Sequence, residues 1–212
     1  MTSEQSPSAD SGGRRELNKR ATRTAISTAA LSLARAHGPG GFTVDQLAEE
    51  AAISRRTFFN YFPSIEAALT RPVEEFLEGA FAQLYNRPAD EPIMDAVLAT
   101  LGGDVSQEQM ALLCEIYAMG EDDPQLERMQ LQVWNKAQQK LEEGLRVRLP
   151  QSESDLLINS LAGALIACGQ AAMREAAAET AGRSPDAGSF QKHLLVSIGM
   201  LRTGFNSLSK DS

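Results

Sequence analysis

Apolar residues fall at helical spacings along nearly the whole chain. Between residues 17 and 37, Leu17, Ile26, Ala29, Ala30, Leu33 and Ala36 fall at helical spacings, and Gly-Pro-Gly-Gly at 38–41 stops the pattern. Thr43 stands three residues before Gln46, the arrangement of a capping box, so a second helix opens there and runs to about Ala51. Ser54 is placed to cap a third, short helix. Pro63 ends that helix, because the residue before a proline disfavours helical backbone, and Ser64 can cap a fourth. The pattern then lengthens, predicting helices over about 64–86, 91–101, 106–120, 124–149, 152–181 and 187–208, with Pro88, Pro92, Gly102, Pro124, Pro150, Gly182 and Pro185 at or beside the joints. Pro72 falls inside one of them and should cap, kink or break it. No alternating strand pattern and no fixed repeat occurs. The chain reads as all-α in two parts, a head of short helices and a body of long ones.

Composition narrows the class. With 212 residues, 42% hydrophobic and 23% charged, the chain is an ordinary soluble protein with enough length for a sizeable core. Residues 1–13 are rich in Ser, Gly and Pro and read as a disordered arm. Cys114 and Cys168 lie in apolar stretches without metal-ligand spacing, which argues against disulfides or zinc and for a reducing cytoplasm. No run of about 18 consecutive apolar residues and no secretory signal pattern is present, so a cytoplasmic protein without membrane partners is expected. The net charge of −8 is uneven. Residues 14–61 carry eight basic and four acidic side chains, leaving 12 basic against 24 acidic elsewhere. A basic head on an acidic body attracts phosphate on one face and repels it on the others.

The segment Thr43–Phe62, TVDQLAEEAAISRRTFFNYF, packs two short helices around a tight turn. Leu47, Ala48, Ala51, Ile53, Phe58 and Phe62 supply positions that can converge between them, while Arg55, Arg56, Thr57, Asn60 and Tyr61 remain on other faces. A helix presented end-on to a DNA major groove needs that division: a buried side to fix its angle, and a polar side to reach bases and phosphates. The runs Thr43-Val44-Asp45-Gln46-Leu47-Ala48, Ala51-Ala52-Ile53-Ser54 and Thr57-Phe58-Phe59-Asn60-Tyr61-Phe62-Pro63-Ser64 resemble the N-terminal signature of the TetR family of bacterial transcriptional regulators. Two positions depart from it. Ala52 stands where the family commonly has glycine, and Ile65 where it often has a phosphate-binding lysine.

The resemblance implies a three-helix helix-turn-helix DNA-binding domain over 14–63 and a helical effector-binding and dimerisation domain over 64–212. It implies a homodimer on a palindromic double-stranded DNA operator, acting as a repressor released by a small-molecule effector. Arg55 and Arg56 are then candidates for base contacts, Thr57 for the groove face, Thr43 and Tyr61 for phosphate, and Asn60 for either, with Ser54 also among the DNA-binding residues. Lys19, Arg20 and Arg23 would add attraction independent of sequence. A dimer surface is also suggested by spacing, through Leu194, Ile198, Leu201 and Phe205 on the last helix and Leu157 and Leu161 on the one before. Tyr117, Trp134 and Cys168 are candidate effector contacts. No catalytic motif appears, His37 and His193 stand apart, and neither metal nor cofactor is expected. The rival reading is a helical carrier or interaction protein whose basic head binds an acidic partner.

Overall fold

The computed structural model describes residues 10–103, 106–179 and 187–204, and among these it holds ten helices and no strand. The chain divides into two compact units, the first ending at Arg71 and the second beginning at Pro72.

The first unit is built on α1 (Asp10–His37), which contacts α2 (Val44–Glu50) and α4 (Ile65–Leu69), while α3 (Arg55–Tyr61) packs on α2. The long first helix reaches back to Asp10, so the last four residues of the expected arm are helical; residues 1–9 lie outside the described residues. Extending a formed helix costs little per residue, which overrides the weak propensity of Gly12 and Gly13. The buried stripe of α1 is Ile26, Ala29, Ala30, Leu31 and Ala34. Leu17 is instead 68% exposed and Ala36 is exposed, because only the C-terminal half of α1 has neighbours to pack against. Ser27, buried on that stripe, donates its hydroxyl hydrogen to the Ala68 carbonyl at 2.7 Å and ties α1 to the end of α4. Gly38 ends α1 with a left-handed φ of 82°, its N–H bonded to Ala34. A side chain at Gly41 would overlap the His37 carbonyl, so the chain can double back there only as glycine.

The predicted helix over 64–86 is two helices. Leu69 closes α4, and α5 (Arg71–Tyr85) begins with Pro72 as its second residue, a place where the missing N–H breaks no helical bond. Then come α6 (Ile93–Leu101), α7 (Gln107–Met119), α8 (Pro124–Arg148), α9 (Asp155–Glu179) and α10 (Ala187–Thr203). Ser106 caps α7, and Asp123 caps α8 by accepting from the N–H groups of Gln125 and Leu126. α9 contacts α7, α8 and α10, with Ala162, Ala172 and Ala176 almost fully buried along it. By length and composition α9 is apolar enough to cross a membrane; about a third of its apolar stretch is buried. Along α8, the Tyr85 hydroxyl donates to the Lys140 carbonyl at 2.9 Å, and the Tyr85 ring occupies the space a side chain at Gly144 would need. At the end of α8 the Arg148 guanidinium donates to the carbonyls of Arg87, Pro88 and Glu91, closing the α5–α6 connection.

Candidate nucleic-acid interface

Three local devices set the angle between α2 and α3. At the start of α2 the Thr43 hydroxyl accepts the Gln46 backbone N–H while the Gln46 side-chain oxygen Oε1 accepts the Thr43 N–H at 2.8 Å, a complete capping box. At its end, Ile53 N–H bonds to Ala48 and Ala52 N–H to Glu49, the paired bonds of a Schellman motif. The motif requires a left-handed residue, and Ala52 takes that role with φ 51°. Ser54 then caps α3, accepting from the Thr57 N–H at 3.0 Å and sharing a 2.7 Å hydrogen bond with the Thr57 hydroxyl. Leu47, Ala48, Phe58 and Phe62 are buried beneath the turn, whereas Ala51 and Ile53 are half-buried.

With Phe58 and Phe62 turned inward, the solvent face of α3 consists of Arg55, Arg56, Phe59 and Asn60, flanked by the half-buried Thr57 and Tyr61. Arg55 is already engaged: its guanidinium donates to both oxygens of Asp45, at 2.9 and 3.1 Å, and lies 5.6 Å from the centre of the Phe59 ring. Arg56 is exposed and has no hydrogen-bond or ion-pair partner among the described residues. Lys19 and Arg20 are exposed on α1, Arg23 is half-buried, and the Thr43 and Ser54 hydroxyls serve as caps at exposed positions.

Two residues of this surface escaped the sequence reading. Phe59 is 48% exposed on the polar face, a placement signalled by the inward pair Phe58 and Phe62 at i and i+4. Asp45 neutralises and orients Arg55, a pairing across ten residues that no single helix periodicity reveals.

The family described as bacterial regulatory proteins, tetR family, matches residues 26–69, the stretch that forms this surface and its support. Residues 26–69 therefore carry a DNA-binding segment of the TetR type. Over 85 residues it is 36% identical to the HTH-type transcriptional regulator TcmR of Streptomyces glaucescens, a match spanning 40% of this chain and 38% of that relative's length. The TetR fold extends through the second unit. FadR of Thermus thermophilus, a TetR-family transcriptional repressor solved in complex with lauroyl-CoA, aligns over 90% of this chain and 98% of its own at 23% identity and a TM-score of 0.52. A TetR-family regulator from Mesorhizobium loti aligns over 88% and 97% at 18% identity and a TM-score of 0.50.

Within this matched stretch Ile65, at the first position of α4, is half-buried, so an apolar residue is accommodated where the TetR signature often carries lysine. In the second unit a cavity of about 80 Å³ lies among α5, α6, α8, α9 and α10, and Trp134 lines it. Tyr117 and Cys168 are not among its lining residues. Leu194 and Ile198 are buried on the cavity wall, Leu161 and Leu201 are half-buried, and Leu157 is 43% exposed. Phe205 lies outside the described residues.

Proposed function

We propose that the protein is a cytoplasmic, ligand-responsive transcriptional repressor that binds a palindromic double-stranded DNA operator as a homodimer and is released by a small molecule held in its second unit. The observation that carries this is the face of α3. Arg56, Asn60 and Phe59 share one exposed side of a helix whose angle is set by caps at both ends of the turn. Arginine pairs bidentately with guanine, asparagine with adenine, and an apolar ring meets a thymine methyl, so these three suit base reading. Arg55, its charge shared with Asp45, stacks against Phe59 and holds that ring in place. Thr43, Ser54, Thr57 and Tyr61 border the face and suit contacts to the phosphates, with Lys19, Arg20 and Arg23 adding long-range attraction.

The dimer reading rests on α9 and α10. Leu157, Val196 and Met200 stay exposed there, and a side chain added at Gly199 would meet nothing among the described residues, so glycine at that position answers no packing need among them. A second copy laid against these helices would cover the apolar residues and use the close approach. Because Leu194 and Ile198 are spent inside the chain, the proposed contact is carried by Leu157, Leu161, Val196, Met200 and Leu201. An effector complex in a protein of this fold, FadR, supports the small-molecule part. Release needs preference for the non-binding conformation: a tenfold loss of DNA affinity takes about 1.4 kcal/mol of it.

The test is fluorescence anisotropy with the DNA upstream of the protein's own gene, in excess competitor DNA and across salt concentrations, alongside light scattering of the free protein. Saturable binding to one inverted repeat with two chains per site is expected. Binding no tighter than to the competitor, or a monomer at micromolar concentration, refutes the proposal.

A further inference from the structure

The cavity in the second unit has an unusual chemical economy. Its walls include Phe76, Phe81, Trp134, Leu165 and Phe190, and the hydrogen-bonding side chains among its lining residues are Thr100 and, through its indole N–H, Trp134. The Thr100 hydroxyl hydrogen is committed to the Ala96 carbonyl at 2.8 Å, so toward a ligand its oxygen can only accept. A second cavity, about 360 Å³, shares with the first a wall made of Phe76, Ala80, Thr100, Leu101, Phe190 and Leu194. Its polar lining is mainly amide: Gln83, Gln107, Gln109 and Gln191, with Glu75 as the one ionisable side chain. The Gln191 amide nitrogen donates to the carbonyls of Leu101 and Gly103, at 3.1 and 3.2 Å, which again leaves an oxygen to accept.

We infer that the effector is a neutral amphiphile, with an apolar portion in the smaller cavity and a hydroxyl or comparable uncharged donor at the junction beside Thr100 and Gln191. The inference rests on the effector reading proposed above and specifies its chemistry. No lysine, arginine or histidine lines either cavity, so a carboxylate or phosphate brought there would lose its hydration without gaining a cation. Glutamines, by contrast, match hydroxyl, carbonyl and amide groups without any charge. The smaller cavity is about 80 Å³, below the roughly 150 Å³ of an apolar cavity known to accept benzene, so the apolar portion is a short alkyl segment of a few carbons.

The chain's single tryptophan, Trp134, lines this cavity and reports on it directly. Full-length protein is titrated at pH 8 with 1-butanol, butanoate and butylamine, following Trp134 emission. Butanol should shift the emission saturably, with butanoate and butylamine each at least tenfold weaker. Thr100→Val, which removes the acceptor, should weaken butanol threefold to tenfold, whereas Thr100→Ser should retain wild-type affinity and serves as the control for folding. Butanoate or butylamine binding as tightly as butanol, no response to butanol, or equal affinities in the valine and serine variants overturns the inference. The same titrations with operator DNA separate the two readings. Butanol that binds without altering DNA affinity counts against effector control and leaves the cavity chemistry standing, while release by a charged ligand alone does the reverse.

Discussion

Replacing Ala52 with glycine should stabilise the protein, although the exchange removes a methyl group and adds chain freedom. Ala52 holds φ 51°, a conformation that costs a residue with a side chain about 1–2 kcal/mol relative to glycine. The opposing term is the greater freedom of glycine in the unfolded chain, about 0.4–1 kcal/mol. Ala52 is exposed, so the lost methyl leaves no cavity. The two Schellman bonds, from Ile53 to Ala48 and from Ala52 to Glu49, are backbone bonds and persist. The net gain is therefore about 0.5–1 kcal/mol. Ala25, exposed within α1, provides the counter-experiment. The same chemical change there should cost about 0.5–1 kcal/mol, since helical backbone gives glycine no advantage. Urea unfolding of the full chain, followed by helical circular dichroism, measures both. DNA affinity of Ala52→Gly should stay within twofold of wild type, because the turn keeps its geometry. If Ala52→Gly is neutral or destabilising while Ala25→Gly behaves as stated, the left-handed assignment at Ala52 is wrong.

Three further outcomes follow from particular contacts. Arg56→Ala should cost about 1–3 kcal/mol of operator affinity and relax preference at one base pair, whereas Asp45→Asn should release Arg55 and raise affinity for all sequences with a steeper salt dependence; operator variants titrated across salt distinguish these. Gly144→Ala should destabilise by about 1–3 kcal/mol by displacing the Tyr85 ring, yet in a Tyr85→Ala background the same change should stabilise by up to about 1 kcal/mol through helix propensity, a reversal readable in a double-mutant unfolding cycle. The Glu179 carboxyl is held below its ordinary value of 4.5, first by the Ser189 hydroxyl and then by His193, which joins it at 3.0 Å. A depressed carboxyl contributes stability that is fully present above that ordinary value and is lost as pH falls through the lower folded one. Glu179→Gln should therefore flatten the loss of stability on acidification below about pH 4.5, and an unchanged acid profile would remove this cluster from the pH response.

Local signals carried most of the head. Thr43 with Gln46, Ser54 before its helix and Pro63 after it are caps and breaks that act within four residues, so the chain alone determines where α2 and α3 begin and end. The same holds for most joints of the body, where proline or glycine stops one helix before the next. What sequence left open was settled by packing between distant residues. Leu17 satisfies the helical spacing of α1 yet faces solvent, because no other element reaches that half of the helix. Pro72 permitted a cap, a kink or a break, and the break follows from the separate closure of α4 at Leu69. Apolar stripes on α9 and α10 look alike in sequence, but Leu194 and Ile198 line an internal cavity while Leu157, Val196 and Met200 remain outside. A periodicity specifies that a face is apolar; which neighbour covers it depends on how five helices close around the space beside Trp134, and that is information only the tertiary arrangement contains.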